Sequence, residues 1–306
     1  MATQKEVKNR IASVKNIHKI TRAMEMVAAA RLRRAEQRID AMRPYAQAIR
    51  KMTQQVADAS AGTIPRIKLL EERENPSRVG IILVTGDRGL AGAFNTNIIR
   101  EGGRLKREFA DDGVDTAFSV VGRRGTSSLT FRGEEISNSY VGFTDRPAFT
   151  DAREISRDVT SGYVDGDLDR VELVYNRYVS PLTQYVRRQT LLPLQEAEVF
   201  GEGIPEPEEP ADPELAEAHE KAYWDYEPEP ELLLPMLFAE YVDLSVYRAL
   251  LESAASELGA RMTAMRSAAE NAEEMIDDLT LEANRVRQAE ITQEILEVVG
   301  GAEALG

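Results

Sequence analysis

A glycine-punctuated segment between an apolar run and a helix-forming stretch is where many proteins hold phosphates, on backbone N–H groups at a helix start. Thr85-Gly-Asp-Arg-Gly-Leu-Ala-Gly-Ala-Phe-Asn95 has that setting, but its spacing does not fit. Dinucleotide sites use G-x-G-x-x-G, whereas Gly86, Gly89 and Gly92 read G-x-x-G-x-x-G. A P-loop needs a Gly-Lys pair, and the chain has none. The segment reads as a tight structural turn: Gly86, Gly89 and Gly92 supply the bends, and Asp87 and Arg88 are paired or face a partner. Other chemistry is scarcer. With no cysteine there is no thiolate nucleophile, disulfide or thiol-held metal. His18 lies in a basic helical stretch and His219 in an acidic one, neither with a second histidine at metal-ligand spacing. Neither context supplies the cleft that Ser/His/Asp catalysis needs. Glu134-Glu135 and Asp277-Asp278 carry little information among 52 acidic residues. The sequence predicts no catalytic residue, metal or cofactor.

The elements that position this turn are legible around it. Arg78–Val84 is an unbroken, β-branched apolar run of the kind that forms a strand buried on both faces. The turn follows, then a helical stretch over Thr96–Ala110, a second strand over Ala117–Val121, and a short helix-prone segment after Gly122. Ala148–Tyr163 has a helical pattern, and Val171–Val179 with Gln184–Leu192 read as a hairpin around Ser180-Pro181. Strand–helix alternation predicts a mostly parallel, Rossmann-like sheet with one antiparallel addition over residues 76–192.

Both ends are helical and far longer than the usual 11–12 residues or so. From Val7, apolar positions recur through Ile11, Val14, Ile17, Ile20, Met24, Val27, Leu32, Ala35, Ile39, Met42, Tyr45, Ile49, Met52 and Val56. The mean step is about 3.5, the coiled-coil period. Pro44 is the single internal breaker and predicts a bend more than an end. The C-terminal seam runs through Leu244, Tyr247, Leu251, Ala254, Leu258, Met262, Met265, Ala269, Ala272, Ile276, Leu279, Ala283 and Val286. Its phase then slips to Ile291, Ile295 and Val298, and Gly300-Gly301 predicts the helix end.

Charge is strongly partitioned. The chain carries −14, with residues 1–58 at +8, 59–192 neutral, 193–231 at −13 and 232–306 at −9. Opposite signs on two abnormally long helices argue that 1–60 and 232–306 pair with each other. Closing the intervening loop costs only a few kcal/mol more than closing a short one. Residues 193–231 hold seven of the 13 prolines and read as an acidic linker, with Ala216–Trp224 as a possible short helix pinned by Tyr223, Trp224 and Tyr226. The basic N-terminal stretch lacks interleaved aromatics and any docking motif, so no nucleic-acid partner is expected. No 18-residue apolar window exists, and the charged start, Met1-Ala2-Thr3-Gln4-Lys5-Glu6, has no apolar signal core.

Three blocks carry a family resemblance. Ile20-Thr-Arg-Ala-Met-Glu-Met-Val-Ala-Ala-Ala-Arg-Leu-Arg34 resembles the N-terminal helix of the γ subunits of F-type rotary ATP synthases. The turn Thr85–Asn95 is similar to that family's S/T-x-D-R-G-L-C/A-G-x-x-N. The third block comprises Glu252-Ser-Ala-Ala-Ser-Glu257, Asn271-Ala-Glu-Glu274, Leu279-Thr-Leu281, Asn284-Arg-Val-Arg-Gln-Ala289 and Ile291–Ala302, which resemble the family's C-terminal signature. About a third of the chain matches densely, and 123–231 matches only in outline.

The resemblance implies an α+β fold: a long antiparallel coiled coil of N- and C-terminal helices with an inserted Rossmann-like α/β domain. It also implies a non-catalytic rotor inside a ring of three α and three β subunits, coupling transmembrane ion (proton) flow to ATP synthesis. Its further partners would be the ε subunit and the membrane c-ring. The chain itself would enter no bilayer and would sit peripherally on the cytoplasmic face of the plasma membrane. Arg287, Gln288 and Thr292 match the family's polar catch on ring loops, and Met24 matches a residue beside the acidic lever of β. The basic neighbours Lys19 and Arg22, with Arg31, could hold against that acidic surface. The residues alone leave two other readings open: a free-standing coiled-coil adaptor, and an α/β enzyme binding nucleotide at Gly86–Gly92.

Overall fold

The computed structural model describes residues 3–59, 67–195 and 227–303. Two helices dominate: α1 (Gln4–Ala59) and, at the far end of the chain, α5 (Pro230–Glu303). Pro44 lies inside α1 without ending it, and Pro235 falls near the start of α5. The helix end predicted at Gly300-Gly301 is corrected, since α5 continues to Glu303. Glycine costs a helix only about 1 kcal/mol against alanine, so two of them need not stop one already propagated. His219 and the short helix around Trp224 lie outside the described residues.

By contact density the chain forms two units, residues 32–260 and residues 1–31 with 261–306. The larger unit holds a five-stranded sheet ordered β3-β2-β1-β4-β5. Its strands are β1 (Arg78–Val84), β2 (Asp115–Val121), β3 (Ile136–Tyr140), β4 (Arg170–Ser180) and β5 (Thr183–Leu192). The first four are parallel and β5 returns antiparallel on β4. The helices α2 (Phe94–Asp111), α3 (Arg123–Phe131) and α4 (Phe149–Asp165) supply the crossovers, and Lys68–Leu70 forms one turn of 3-10 helix. The expected sheet is present with one strand more than the sequence pattern revealed: Ile136-Ser-Asn-Ser-Tyr140 is an edge strand. Only Tyr140 of it is buried, so the apolar alternation that marks a half-buried strand is absent.

Strand β1 shows why the sheet is a centre. Val79, Ile81 and Leu83 enter one core with Ile98, Leu105, Phe109 and Leu129 from α2 and α3. Ile82 and Val84 enter a second core on the opposite face with Ile155, Tyr163, Phe238, Val242 and Val246 from α4 and α5. An all-apolar strand is thus required by burial on both sides. In the same unit Met42, Ala46 and Ile49 of α1 pack on Leu244 and Leu251 of α5, and Leu32 and Ala35 pack on Ala255 and Leu258. Lower numbers on α1 meet higher ones on α5, so the helices run antiparallel. The buried alanines Ala35, Ala46 and Ala255 let the two backbones come close.

Candidate functional site

In the smaller unit the backbone N–H of Gln4 donates to Glu290 at 3.2 Å, and Arg266 Nε donates to Glu25 at 2.9 Å. These contacts give the same antiparallel register. The buried positions here are Val7, Thr21, Glu25 and Ala28 on α1, and Met262, Met265, Ala269, Ala272 and Ala283 on α5. The α5 seam is the one read from sequence; the α1 seam agrees at buried Val7 and half-buried Ile11, Val14 and Met24 and departs at three positions. Ile17, Ile20 and Val27, expected inside, are 50%, 59% and 53% exposed. Thr21 and Ala28 take the inner face because small side chains permit close helix approach, and Ile17, Ile20 and Val27 are turned to the outside.

Glu25 is the charged centre of this seam. It is 8% exposed and accepts from Arg266 on α5 and from Arg22, one turn back on α1, at 2.8 Å. The hydrogen bond from Arg266 outweighs burial and, with the charge of Arg22, holds the Glu25 carboxyl below its ordinary pKa. Arg22 is therefore engaged inside the chain before any partner is met. Lys19 is exposed and Met24 is half-buried beside this cluster. The sequence pattern missed Glu25 because a carboxylate at a seam position reads as a break in the apolar stripe. Its i, i+4 spacing from Thr21 was the available signal.

Near the other end of α5, Arg287, Gln288 and Thr292 are exposed. Gln288 and Thr292 share a helix face, and the Thr292 hydroxyl donates to the Gln288 carbonyl at 2.8 Å, which fixes its rotamer. Around them Ile291, Ile295, Leu296, Val298 and Val299 are also exposed, five large apolar side chains within nine residues. A run of that kind marks a contact surface.

The glycine turn lies in the larger unit and is closed upon itself. The Gly86 N–H donates to Asn95 Oδ1 at 2.8 Å, and the Asp87 N–H donates to Thr144 Oγ1 at 2.9 Å. The Asp87 carboxylate accepts from the backbone N–H groups of Arg123, Gly142 and Thr144 and from the Thr144 hydroxyl. Arg88 does not pair with Asp87; it reaches Asp145 at 3.2 Å. Leu90 and Gly92 take positive φ values of 63° and 54° to complete the bend, and Gly89 lies against the Arg124 guanidinium. A Cβ on Gly86 would fall 2.6 Å from the carboxylate of Glu257, a buried residue of α5. Two N–H groups that a phosphate would use are thus spent on side chains, and two carboxylates crowd the turn. This geometry welds β1, α3 and the loop after β3 together and is hostile to an anion.

Burial pushes the Asp87 carboxyl up, but the hydrogen bonds from Arg123, Gly142 and Thr144 outweigh it and hold the pKa below its ordinary value. A depressed pKa contributes stability above the unfolded-state value of about 3.9 and loses it as pH falls toward the folded value. Asp87→Asn should therefore lower stability by about 1–2 kcal/mol at neutral pH. It should also make the decline below about pH 4 shallower. Urea melts of both chains at pH 7 and pH 3 check this; parallel losses at the two pH values would refute the assignment.

Comparison with known proteins gives a consistent result. A family model described as ATP synthase matches residues 3–305. The ATP synthase gamma chain of Moorella thermoacetica is 42% identical over 305 residues, covering all of both chains. That of Saccharopolyspora erythraea is 40% identical over 319 residues, all of this chain and 98% of the relative. A sodium ion specific gamma chain from Acetobacterium woodii is 40% identical over 302 residues, 98% of each. Among solved structures, a chain from the central stalk and c-ring of Tetrahymena thermophila mitochondrial ATP synthase aligns at TM-score 0.59 with 27% identity, covering 81% of this chain and 99% of that one. A chain of the Euglena gracilis mitochondrial enzyme aligns at TM-score 0.66 over 99% of this chain with 18% identity, a likeness of fold.

Proposed function

The chain belongs to the ATP synthase family as a γ chain, and we propose that it works there as a non-catalytic axle. It is a central-stalk subunit of an F-type, membrane-associated ATP synthase. In this reading residues 1–60 and 232–306 are the axle, 76–192 the inserted domain and 193–231 an acidic linker. The α and β subunits form the surrounding ring, with β carrying the reaction, while ε and the c-ring contact the foot on the cytoplasmic face of the plasma membrane. The axle's rotation couples transmembrane ion (proton) flow to ATP synthesis. No helix among the described residues is long and apolar enough to cross a membrane.

The observation that carries this reading is the outward apolar stripe of the smaller unit. Ile17, Ile20 and Val27 on α1, and Ile291, Ile295, Leu296, Val298 and Val299 on α5, are left in water by the chain on its own. Apolar surface of this extent needs a sleeve, and one without bidentate locks lets an axle turn inside it. The contacts do work only if they favour one ring conformation over another, so coupling resides in unequal stabilisation of three otherwise equivalent subunits. Lys19, Arg22 and Met24 would face the acidic lever of β, and Arg287, Gln288 and Thr292 would catch ring loops by hydrogen bonding. Asp87, Arg88 and the three turn glycines stiffen the inserted domain.

Mixing the purified chain with bacterial α and β subunits is expected to yield a complex containing all three that hydrolyses ATP, while the chain alone neither binds nor turns over nucleotide. Failure to enter an α/β complex would overturn the axle, and saturable nucleotide binding by the isolated chain would favour the enzyme reading.

A further inference from the structure

Strand β4 outruns its neighbour. Its pairing with β1 ends at Val174 opposite Leu83, while its ladder with β5 continues from Tyr175 opposite Arg187 to Tyr178 opposite Gln184. Residues 175–187 therefore leave the sheet as a two-stranded arm. A ribbon of two strands is marginal in water unless something packs on it. Here both long helices do, all within the larger unit. The Tyr178 ring packs against the cluster formed by Leu32 and Ala35 of α1 with Ala255 and Leu258 of α5. Its hydroxyl donates to Glu36 Oε1 on α1 at 2.5 Å. Burial and that bond push the Tyr178 pKa well above its ordinary value, so the hydroxyl stays a donor. The Ser256 hydroxyl, fully buried on α5, donates to the Asn176 carbonyl of β4 at 3.1 Å. One turn further along, Gly259 makes room for the tip of the arm. A Cβ there would lie 3.1 Å from the Pro181 carbonyl oxygen and 2.9 Å from Gln184 Nε2. That nitrogen donates to the Ser180 and Pro181 carbonyls at 3.2 and 2.8 Å, which folds the tip over. Glycine weakens a helix interior, so its place inside a 74-residue helix goes with this close approach.

These contacts differ in kind from the rest of the junction. Earlier on α5 the sheet is met mainly by Leu234, Phe238, Val242, Val246 and Leu250. Apolar contact resists separation but has no preferred direction. Hydrogen bonds hold only within a narrow range of distance and angle, so they resist rolling and sliding. The arm also grips both helices at one level, so a twist applied to the sheet reaches α1 and α5 together. We propose that the β4–β5 arm carries torque between the inserted domain and the axle, with Tyr178, Ser256 and Gly259 as its positioning residues. This role rests on the axle reading and adds to it the place where force crosses from sheet to helices.

The test reads ATP-driven ion pumping beside ATP hydrolysis for the assembled enzyme in sealed vesicles. Hydrolysis needs the axle inside the ring, whereas pumping needs torque to leave it through the inserted domain. Tyr178→Phe combined with Ser256→Ala removes both hydrogen bonds and keeps the aromatic ring and the helix. It should lower the ions pumped per ATP about fivefold, the low end of a usual coupling free energy, with hydrolysis unchanged. Gly259→Leu keeps a good helix former, lifts the tip and should give the same loss. Hydrogen exchange of the isolated chain shows whether the arm has been freed. Ladder amides of 175–187 should exchange about thirtyfold faster in the double variant, as for two lost hydrogen bonds, with β1 and β2 unaffected. Unaltered exchange in the double variant, or unaltered pumping per ATP in either variant, overturns the arm. So does a fall in hydrolysis equal to the fall in pumping, which would make the contacts structural only. If the double variant does not assemble, Gly259→Leu decides. A wild-type chain that enters no α/β complex overturns the axle reading itself, and with it any torque to be carried.

Discussion

Gly122→Ala is expected to destabilise the chain by about 3–4 kcal/mol, the cost of forcing a methyl group into a closed backbone contact in addition to a left-handed conformation. Gly122 has φ 94°, and a Cβ there would lie 2.3 Å from the Thr85 carbonyl oxygen and 2.6 Å from its carbon. Neither neighbour can move aside. Thr85 is pinned by its backbone N–H to the Val121 carbonyl at 2.9 Å and by its hydroxyl to the same carbonyl at 2.7 Å, and Gly125 N–H returns to that hydroxyl at 3.0 Å. The methyl group would part the ends of β1 and β2 where the glycine turn is anchored. Gly113→Ala separates the two contributions, because Gly113 also has positive φ, 75°, but open space around it. It should lose only about 1 kcal/mol. Equal midpoints for the two variants in urea melts would show that the close contact with Thr85 is not what requires glycine.

Replacing Arg287 and Gln288 together by alanine should cut ATP synthesis by the assembled enzyme about five- to tenfold, the low end of a usual coupling free energy. The melting of the isolated chain should be unchanged. Both side chains are exposed, so nothing in the chain's own packing is lost. Alanine is also the best helix former, so the helix does not suffer. Synthesis and hydrolysis rates in reconstituted vesicles, read beside thermal unfolding of the subunit alone, give the answer. Unaltered synthesis would remove these residues from the ring contact, and a parallel fall in stability would move their role to the axle itself. Thr292 makes a graded third variant. Its hydroxyl already donates to the Gln288 carbonyl, so Thr292→Ala should have the smaller effect.

The α5 seam and the α1 seam show how differently two halves of one helix pair can be read. On α5, Leu244, Leu251, Ala254, Leu258, Met262, Met265, Ala269, Ala272 and Ala283 are all buried, as the spacing required. On α1, Ile17, Ile20 and Val27 of the expected stripe face outward, and Thr21, Glu25 and Ala28 are inside. Periodicity reports that a helix has an apolar face; it does not report whether that face belongs to the chain's own core or to another protein's. The same limit hid Glu25, since a seam carboxylate is tolerable only because Arg266, 241 residues away, completes it.

By itself the amino-acid sequence determined the long terminal helices, the parallel sheet with its antiparallel return strand, and the turn that fails both phosphate-binding spacings. Those features follow from local backbone preference and from burial period, which nearest neighbours encode. Tertiary structure alone decided which faces are inner, where Glu25, Asp87 and Arg88 find partners, that Ile136–Tyr140 pairs as an edge strand, and that Glu252 keeps an oxygen without a donor. Each of those depends on groups brought together from distant parts of the chain. Hydrogen bonds and ion pairs between such groups are set by geometry of a few tenths of an ångström, which no spacing pattern carries.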